Sequence, residues 1–395
     1  CLQNCGLTYY CSQQCRMKDM DVHQIECMLT LTANRKPLAP TVRLIFRVLC
    51  QLVKSPQDFP QIDGLLDHTS SRSLFELQQF LDMAESAWNA FLYTNSQVPS
   101  VYSLSPLPKF LDVKFIVKLL GIISCNAFSI SDGEMCPVGR GLYLDAVYAN
   151  HSCQPNCIAI FNGNTLLLRA CLPISKGCEL TISYIDLAKS SVQRRNELKA
   201  GYFFNCLCQR CTMDSVDSDR FMEGYICPSQ DCKGLCDLDE VGGFASDSLF
   251  QKWQKMTILG TQQSATGTGS KLNCFSCGRS TNAIKSKERK ANMNECMAKA
   301  KHFATLGNVK NEIQMYENAL EFSTDWLHPT SIEVMECHNS LTRLHLKEHN
   351  FVAAAAHCRE SLAGYCANYP PGSPMPGLQY FLLGKLMLYL GKLDN

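Results

Sequence analysis

Asn150-His151-Ser152-Cys153-Gln154-Pro155-Asn156-Cys157 and, further along, Glu179-Leu180-Thr181-Ile182-Ser183-Tyr184 are the two stretches on which the fold turns. Around them the chain breaks into short β-rich runs: Asn126 to Ile130, Leu142 to Tyr148, Cys157 to Phe161, Thr165 to Ala170 and Leu180 to Ile185. Glycine, proline and asparagine separate the runs, which predicts a compact arrangement of small sheets. Neither a G-x-G-x-x-G nor a P-loop is present, so nucleotide sites of the doubly wound type lack support. Taken singly, His151 reads as a structural histidine and Tyr184 as a core tyrosine in a strand. The two segments taken together give these residues a chemical role.

The pair closely resembles the paired signature of SET-domain lysine methyltransferases. The resemblance implies that the first segment threads beneath the second as a pseudoknot beside an S-adenosylmethionine pocket. Cys125-Asn126-Ala127-Phe128-Ser129-Ile130 is similar to a third piece of that family, one that lines both the cofactor and the lysine channel. It implies cofactor contacts from Asn126, Asn150, His151 and Phe204, a channel flanked by Phe128, and catalytic tyrosines at Tyr184 and Tyr202. The physics is coherent. Methyl transfer from a sulfonium to an amine needs alignment and a neutral lysine rather than elaborate proton chemistry. A partly desolvated aromatic channel favours the neutral amine. Ala149 stands where the family has a larger aliphatic residue, Cys178 where it often has an acidic one, and the family's glycine-rich cofactor segment is expected upstream of Cys1.

The 24 cysteines are the compositional outlier. Their short C-x-C, C-x2-C and C-x3-C spacings suit zinc in a reducing compartment better than disulfides. Cys206-x-Cys208-x2-Cys211 needs a fourth ligand from elsewhere, and the resemblance supplies it as Cys153, in the manner of the family's post-SET zinc. Cys227, Cys232, Cys274 and Cys277 have the two-knuckle form of a zinc ribbon, with Cys236 as a rival ligand. At the start, Cys5, Cys11, Cys15, His23 and Cys27 carry two ligand pairs at helical spacing, with Cys1 ahead of them. This stretch resembles the MYND finger, which holds two zincs in a crossed pattern. That pattern implies one site of Cys1, Cys5, His23 and Cys27, and a second that pairs Cys11 and Cys15 with two ligands preceding Cys1. The finger in this chain is accordingly expected to fold only in part.

Between finger and core, 36–53 and 72–94 have helical periodicity and 55–71 reads as loop. Residues 189–200 suggest a further helix, and 260–270 a flexible loop. From Asn292 onward, helical hairpins resemble tetratricopeptide-type stacking with an irregular period. The expected architecture is therefore α+β and multidomain. It comprises a truncated finger at 1–27, a helical linker and insert at 28–110, the β-rich SET core at 111–186 and a post-SET zinc segment at 187–215. A ribbon-like segment at 216–290 and a TPR-like helical domain at 291–395 complete it.

Net charge is +1, from 37 basic and 36 acidic residues, which argues against nucleic-acid binding through bulk charge. The longest apolar run, Phe110 to Ser124, is interrupted by Asp112, Lys114 and Lys118, and falls short of the roughly 18 uninterrupted residues of a membrane span. Cytoplasm or nucleus is the expected compartment. The leading expectation is a zinc-containing, S-adenosylmethionine-dependent enzyme acting on lysine in histone or non-histone proteins. The rival is a zinc-dependent adaptor with a silent core, binding proline-rich peptides at the finger. A DNA-binding zinc protein is the weakest alternative.

Overall fold

The computed structural model describes residues 6–32, 38–98, 103–212, 222, 224–232, 234–239 and 271–393. The chain divides into two compact units. The first takes 1–150, 159–169 and 199–204. Its helices are α1 (Gln13–Thr32), α2 (Pro40–Lys54), α3 (Phe59–Asp63), α4 (Leu74–Gln97) and α5 (Val113–Asn126). An antiparallel hairpin follows, β1 (Phe128–Ser131) with β2 (Pro137–Gly141), and most of a second, β4 (Cys157–Asn162) with β5 (Thr165–Ala170).

Local chemistry explains where these helices begin. Pro40 occupies the first position of α2, where a missing N–H costs nothing. Ser73 and Glu76 form a capping box on α4. The Asp112 carboxylate accepts from the Phe115 N–H at 2.7 Å, opening α5. The apolar stripes of α2 (Ile45, Phe46, Leu49, Leu52), α4 (Ala84, Ala87, Phe91) and α5 (Phe115, Ile116, Leu119, Ile122, Ile123) then bury into one core. Each of the larger side chains contributes about 2 kcal/mol of transfer free energy.

Three expectations change here. Residues 113–126, assigned to the β-rich core, form a helix. Apart from Lys114 and Lys118 the run is largely apolar, which left little visible period, and the Asp112 cap is what starts it. Residues 142–148 are turns rather than a strand, with Val147 N–H donating to Tyr143 O at 3.1 Å. Leu142, Leu144 and Val147 all pack against the helical core, which an alternating strand would forbid. The 55–71 stretch holds short helical turns at Pro56–Asp58, Phe59–Asp63 and Thr69–Ser71. The 260–270 segment lies outside the described residues.

The second unit takes 151–158, 170–198 and 205–395. The His151 end of β3 (Asn150–His151), β6 (Thr181–Ile182), most of α6 (Ser191–Tyr202) and α7 (Gln209–Thr212) belong to it. So does an antiparallel sheet in the order β10-β9-β8-β7, formed by β7 (Tyr225–Ile226), β8 (Leu235–Asp239), β9 (Lys271–Cys274) and β10 (Ser280–Asn282). Five helices follow: α8 (Ile284–Thr305), α9 (Val309–Ser323), α10 (Ile332–Lys347), α11 (Phe351–Asn368) and α12 (Pro374–Leu393). Asn308, Ser331 and Asn350 cap three of them, each side chain accepting from the backbone N–H three residues on.

These helices brace 170–198 and 205–211 of the same unit. The Tyr369 hydroxyl donates to Asp186 Oδ1 at 2.8 Å, and Arg210 Nη2 donates to Asn368 O at 2.8 Å. Gly372, at φ 82°, turns so close to Cys171 that a Cβ would meet its carbonyl oxygen at 2.8 Å. Among the described residues no helix is long and apolar enough to cross a membrane.

In the first unit, Arg47 joins α2 to α1 through both oxygens of buried Glu26 (2.7 Å each) and through Asp19 Oδ1 (2.8 Å). Burial would raise the Glu26 carboxyl, but hydrogen bonds from His23 and Arg47 and the arginine charges outweigh it, holding Glu26 at about 2. Arg47→Met strands that carboxylate and should cost about 3 kcal/mol, measured by urea unfolding. The contribution of Glu26 is complete above its unfolded value of 4.5 and is lost as pH falls towards 2. Glu26→Gln should therefore flatten the stability curve in that window, and an unaltered acid limb would show that another carboxylate carries it.

Candidate functional site

The segments 151–157 and 179–185 are laced together by hydrogen bonds within the second unit. Ser152 N–H donates to Ile182 O at 2.9 Å. The Asn156 side chain does most of the rest: its amide donates to Glu179 O at 2.8 Å, and its carbonyl accepts from Thr181 N–H at 2.8 Å. A side-chain amide offers both a donor and an acceptor, so one residue replaces two rungs of a ladder too short to hold itself. The Asn156 backbone carbonyl oxygen then accepts from the Cys171 N–H at 2.8 Å, fixing the strand exit.

This lacing brings His151 to Tyr184. The Tyr184 N–H donates to His151 Nδ1 at 3.1 Å, and the ring centroids are 5.4 Å apart. His151 Nε2 lies 3.2 Å from Cys153 Sγ. Burial, helped by the nearby Arg194 charge and opposed by Cys208, pushes the imidazole down to about 4. The ring is therefore neutral at physiological pH.

Cys153 in turn joins Cys206, Cys208 and Cys211, with all four sulfurs within 4.8 Å of one another. Its sulfur is 3.9 Å from that of Cys206 and 3.5 Å from that of Cys211. Sulfurs held about 2.3 Å from a tetrahedral zinc sit about 3.8 Å apart, so the donor set fits zinc in both chemistry and spacing. Hydrogen bonds from Cys153, Cys206 and Cys211 hold the Cys208 thiol far below its ordinary value, while contacts with Cys206, Cys208 and Cys211 push the Cys153 thiol up. Wholly buried Arg194 lies beside it, its Nη2 donating to Arg210 O at 3.4 Å and reaching Cys211 Sγ at 3.7 Å. Arg210 Nη1 donates to Cys153 O at 3.2 Å.

The distal set forms a second cluster of the same kind. Cys227 and Cys277 sulfurs are 3.8 Å apart, Cys232 and Cys274 sulfurs 3.7 Å, and all four lie within 4.8 Å. Cys236, the rival ligand, is not one of the four. It is buried on β8 opposite Cys274, where burial pushes its thiol up.

The finger is only partly in view. Cys11 and Cys15 are exposed with sulfurs 3.3 Å apart, while His23 and Cys27 are buried on α1. Cys1 and Cys5 lie outside the described residues.

The remaining expected site residues belong to the first unit. Asn126 ends α5, and its amide donates to Leu66 O and Ile122 O at 2.8 Å each. What this side chain can offer a ligand is therefore its carbonyl oxygen, an acceptor. Phe128 opens β1 and meets Tyr143 edge-on at 5.9 Å, while Tyr143 meets Phe161 at 5.7 Å. Asn150 is exposed, and Tyr202 and Phe204 are half-buried around Phe203. Phe203 has φ 61°, stacks on His68 at 5.0 Å and lies under the Arg72 guanidinium at 4.9 Å. Sequence reasoning missed Tyr143, Phe161, His68 and Arg72. No motif marks them, since each acquires its partner only through folding.

Each four-cysteine set should hold its own ion. Cys208→Ser and Cys277→Ser should each remove one zinc from the full chain, measured by metal analysis after dialysis, and the double variant should remove both. Unchanged zinc content in either single variant would dismiss that cluster.

Residues 49–185 match the SET domain family. The chain is 27% identical over 405 residues to the histone-lysine N-methyltransferase ASHR1 of Arabidopsis thaliana, covering 98% of this chain and 75% of that protein. It is 32% identical over 222 residues to human histone-lysine N-methyltransferase SMYD3, covering 54% of this chain and 49% of that protein. To chicken N-lysine methyltransferase SMYD2 it is 30% identical over 221 residues, or 55% and 48%. The match thus spans about half the length of the SMYD2 and SMYD3 relatives. The laced segments 151–157 and 179–185, a four-thiol cluster built on Cys153 and these likenesses agree: the chain carries a SET domain and is similar to SMYD-like lysine methyltransferases.

Proposed function

We propose that the protein transfers a methyl group from S-adenosylmethionine to the side-chain amine of lysine in protein substrates. The observation that carries this reading is the lacing of 151–157 to 179–185, which fixes Tyr184 by its backbone. The cofactor, when bound, supplies an electrophilic methyl on a sulfonium. The protein's part is to bind, align and keep water out.

In this reading Asn126 offers its carbonyl oxygen, which suits a positively charged amino group such as that of the cofactor's amino-acid end. Asn150 and Phe204 complete the cofactor contacts. His151 contributes through its backbone, since both ring nitrogens are engaged elsewhere. Phe128, with Tyr143 beside it, walls the lysine channel, and Tyr202 lines it. The Tyr184 hydroxyl accepts from the amine and holds it in line with the methyl. Apolar walls disfavour the ammonium and so deliver the neutral nucleophile.

The same reading takes Cys11, Cys15, His23 and Cys27 as part of a MYND finger, with proline-rich peptides as its partners. It takes α8–α12 as a TPR-like array that presents protein substrate, with histone and non-histone proteins in cytoplasm or nucleus as the class. The domain limits stay at 1–27, 28–110, 111–186, 187–215, 216–290 and 291–395.

Tyr184→Phe removes one oxygen. It should lower kcat about 100-fold while leaving S-adenosylmethionine affinity within a factor of about three, the latter a change under 1 kcal/mol. Labelled methyl transfer to a mixture of purified proteins, alongside calorimetric cofactor titration, reads both. Full activity in the variant would remove Tyr184 from the mechanism. A full-length protein that neither binds cofactor nor transfers label would instead be the adaptor.

A further inference from the structure

Between α3 and α4, residues 66–72 lie against the end of α5 and against the aromatic run 202–204, all within the first unit. The Leu66 carbonyl accepts from the Asn126 amide at 2.8 Å. Asp67 packs so closely on α5 that a Cβ at Gly121 would meet the Asp67 carbonyl oxygen at 2.5 Å. His68 stacks on Phe203, and both residues adopt positive φ, 52° and 61°, a conformation that bulky side chains avoid. Arg72 ties these pieces together. Its guanidinium lies over the Phe80 ring at 4.7 Å and the Phe203 ring at 4.9 Å, and its Nη2 donates to the Ser124 hydroxyl on the last turn of α5. Ser124 directs its own proton at Gly121 O at 2.7 Å, so its oxygen is free to accept. The Arg72 side chain is only 7% exposed, yet its ion pair with Glu76 is long, at 3.7 Å. The two rings are what hold this charge. A planar guanidinium can stack and still donate in its own plane, which an ammonium cannot.

We infer that Arg72 is a positioning residue: it locks the aromatic run 202–204 against the end of α5 and so keeps Phe204 and Asn126 in the arrangement that receives the cofactor. Its consequence rests on the methyltransferase reading; its geometry does not. The effect passes through Phe203, which is flanked in the chain by Tyr202 and Phe204. With Phe203 pinned between His68 and Arg72, its two neighbours are confined as well. The backbone strain agrees with this, because a phenylalanine at positive φ persists only where its surroundings hold it there. Cys125 Sγ donates to Gly201 O at 3.7 Å, a second tie between the end of α5 and the entry to the same run. Asn126 is held from the same stretch through Leu66, so one short bracket sets both of the assigned cofactor contacts. When the clamp opens, the run spends time out of place, and apparent cofactor affinity falls by the fraction of molecules still competent to bind.

The test uses the full-length, zinc-loaded protein. Arg72→Lys keeps the charge but loses the flat face, and Phe203→Asn removes the ring while keeping a residue that tolerates positive φ. Each should weaken S-adenosylmethionine binding about 10-fold in calorimetric titration and speed amide exchange across 199–205 about 10-fold, with zinc content unchanged. The double variant should also lose about 10-fold, because both changes open one clamp. Phe203→Tyr keeps the stack and should bind within a factor of about three of the wild type. Wild-type affinity and exchange in either folded variant, or a loss of about 100-fold in the double variant, overturns the proposal. Loss of zinc alongside the cofactor also overturns it, since the effect would then be one of general unfolding. If the wild-type protein binds no cofactor and transfers no methyl group while exchange at 199–205 still quickens in the variants, the clamp stands and the methyltransferase reading falls.

Discussion

The physical constraint on which the rest depends is that Cys153 must serve two structures at once. Its backbone lies in the segment laced to 179–185 through Ser152 and Asn156, and its sulfur is one corner of the four-thiol cluster. A tetrahedral zinc thiolate tolerates little displacement of a corner. The position of that sulfur therefore also limits the position of His151 two residues earlier, and through it the Tyr184 backbone. Two-residue strands such as β6 cannot hold such a geometry by ladder bonds alone. The cluster supplies the rigidity that the sheet lacks.

Burying that much sulfur charge has to be offset. Four thiolates around one divalent ion carry net negative charge, and an uncompensated charge in the interior is costly. Arg194 and Arg210 are both buried beside the cluster, one reaching Cys211 and the other the Cys153 carbonyl. Arg210 also reaches Asn368, whose amide donates to Thr330 O at 2.7 Å. The arginine beside the cluster is thus also the hook by which α11 and the turn at Thr330 are fastened to it. A disturbance at the C-terminal helices has a direct structural route to the cluster within the same unit.

Much of this was legible in the chain and much was not, for identifiable reasons. Ligand sets such as Cys206, Cys208 and Cys211 declare themselves because neighbouring sulfurs on one ion must be close in sequence or meet through short knuckles. Cys236 was ambiguous because spacing cannot say which way a strand residue points. Pairing with Cys274 across β8 and β9 settles that it is a buried neighbour. The α5 helix was hidden because a run apolar but for Lys114 and Lys118 shows little period, while the 142–148 turns resembled a strand because branched and aromatic residues serve both. Tyr143 and Phe161 carry no local signature, and their ring contact joins the turn after β2 to strand β4.

The sequence by itself determined the chemical inventory. It set which residues can ligate a metal, which segments are too short to stand without partners, and which aromatic and amide groups are available near them. Only tertiary structure decided the assignments that depend on direction. It put the Asn126 amide hydrogens on Leu66 and Ile122, and it placed His151 with one nitrogen on Tyr184 and the other on Cys153. The reason is physical: composition and spacing specify which donors and acceptors exist, whereas a hydrogen bond is made by orientation, and orientation exists only once the chain has closed on itself.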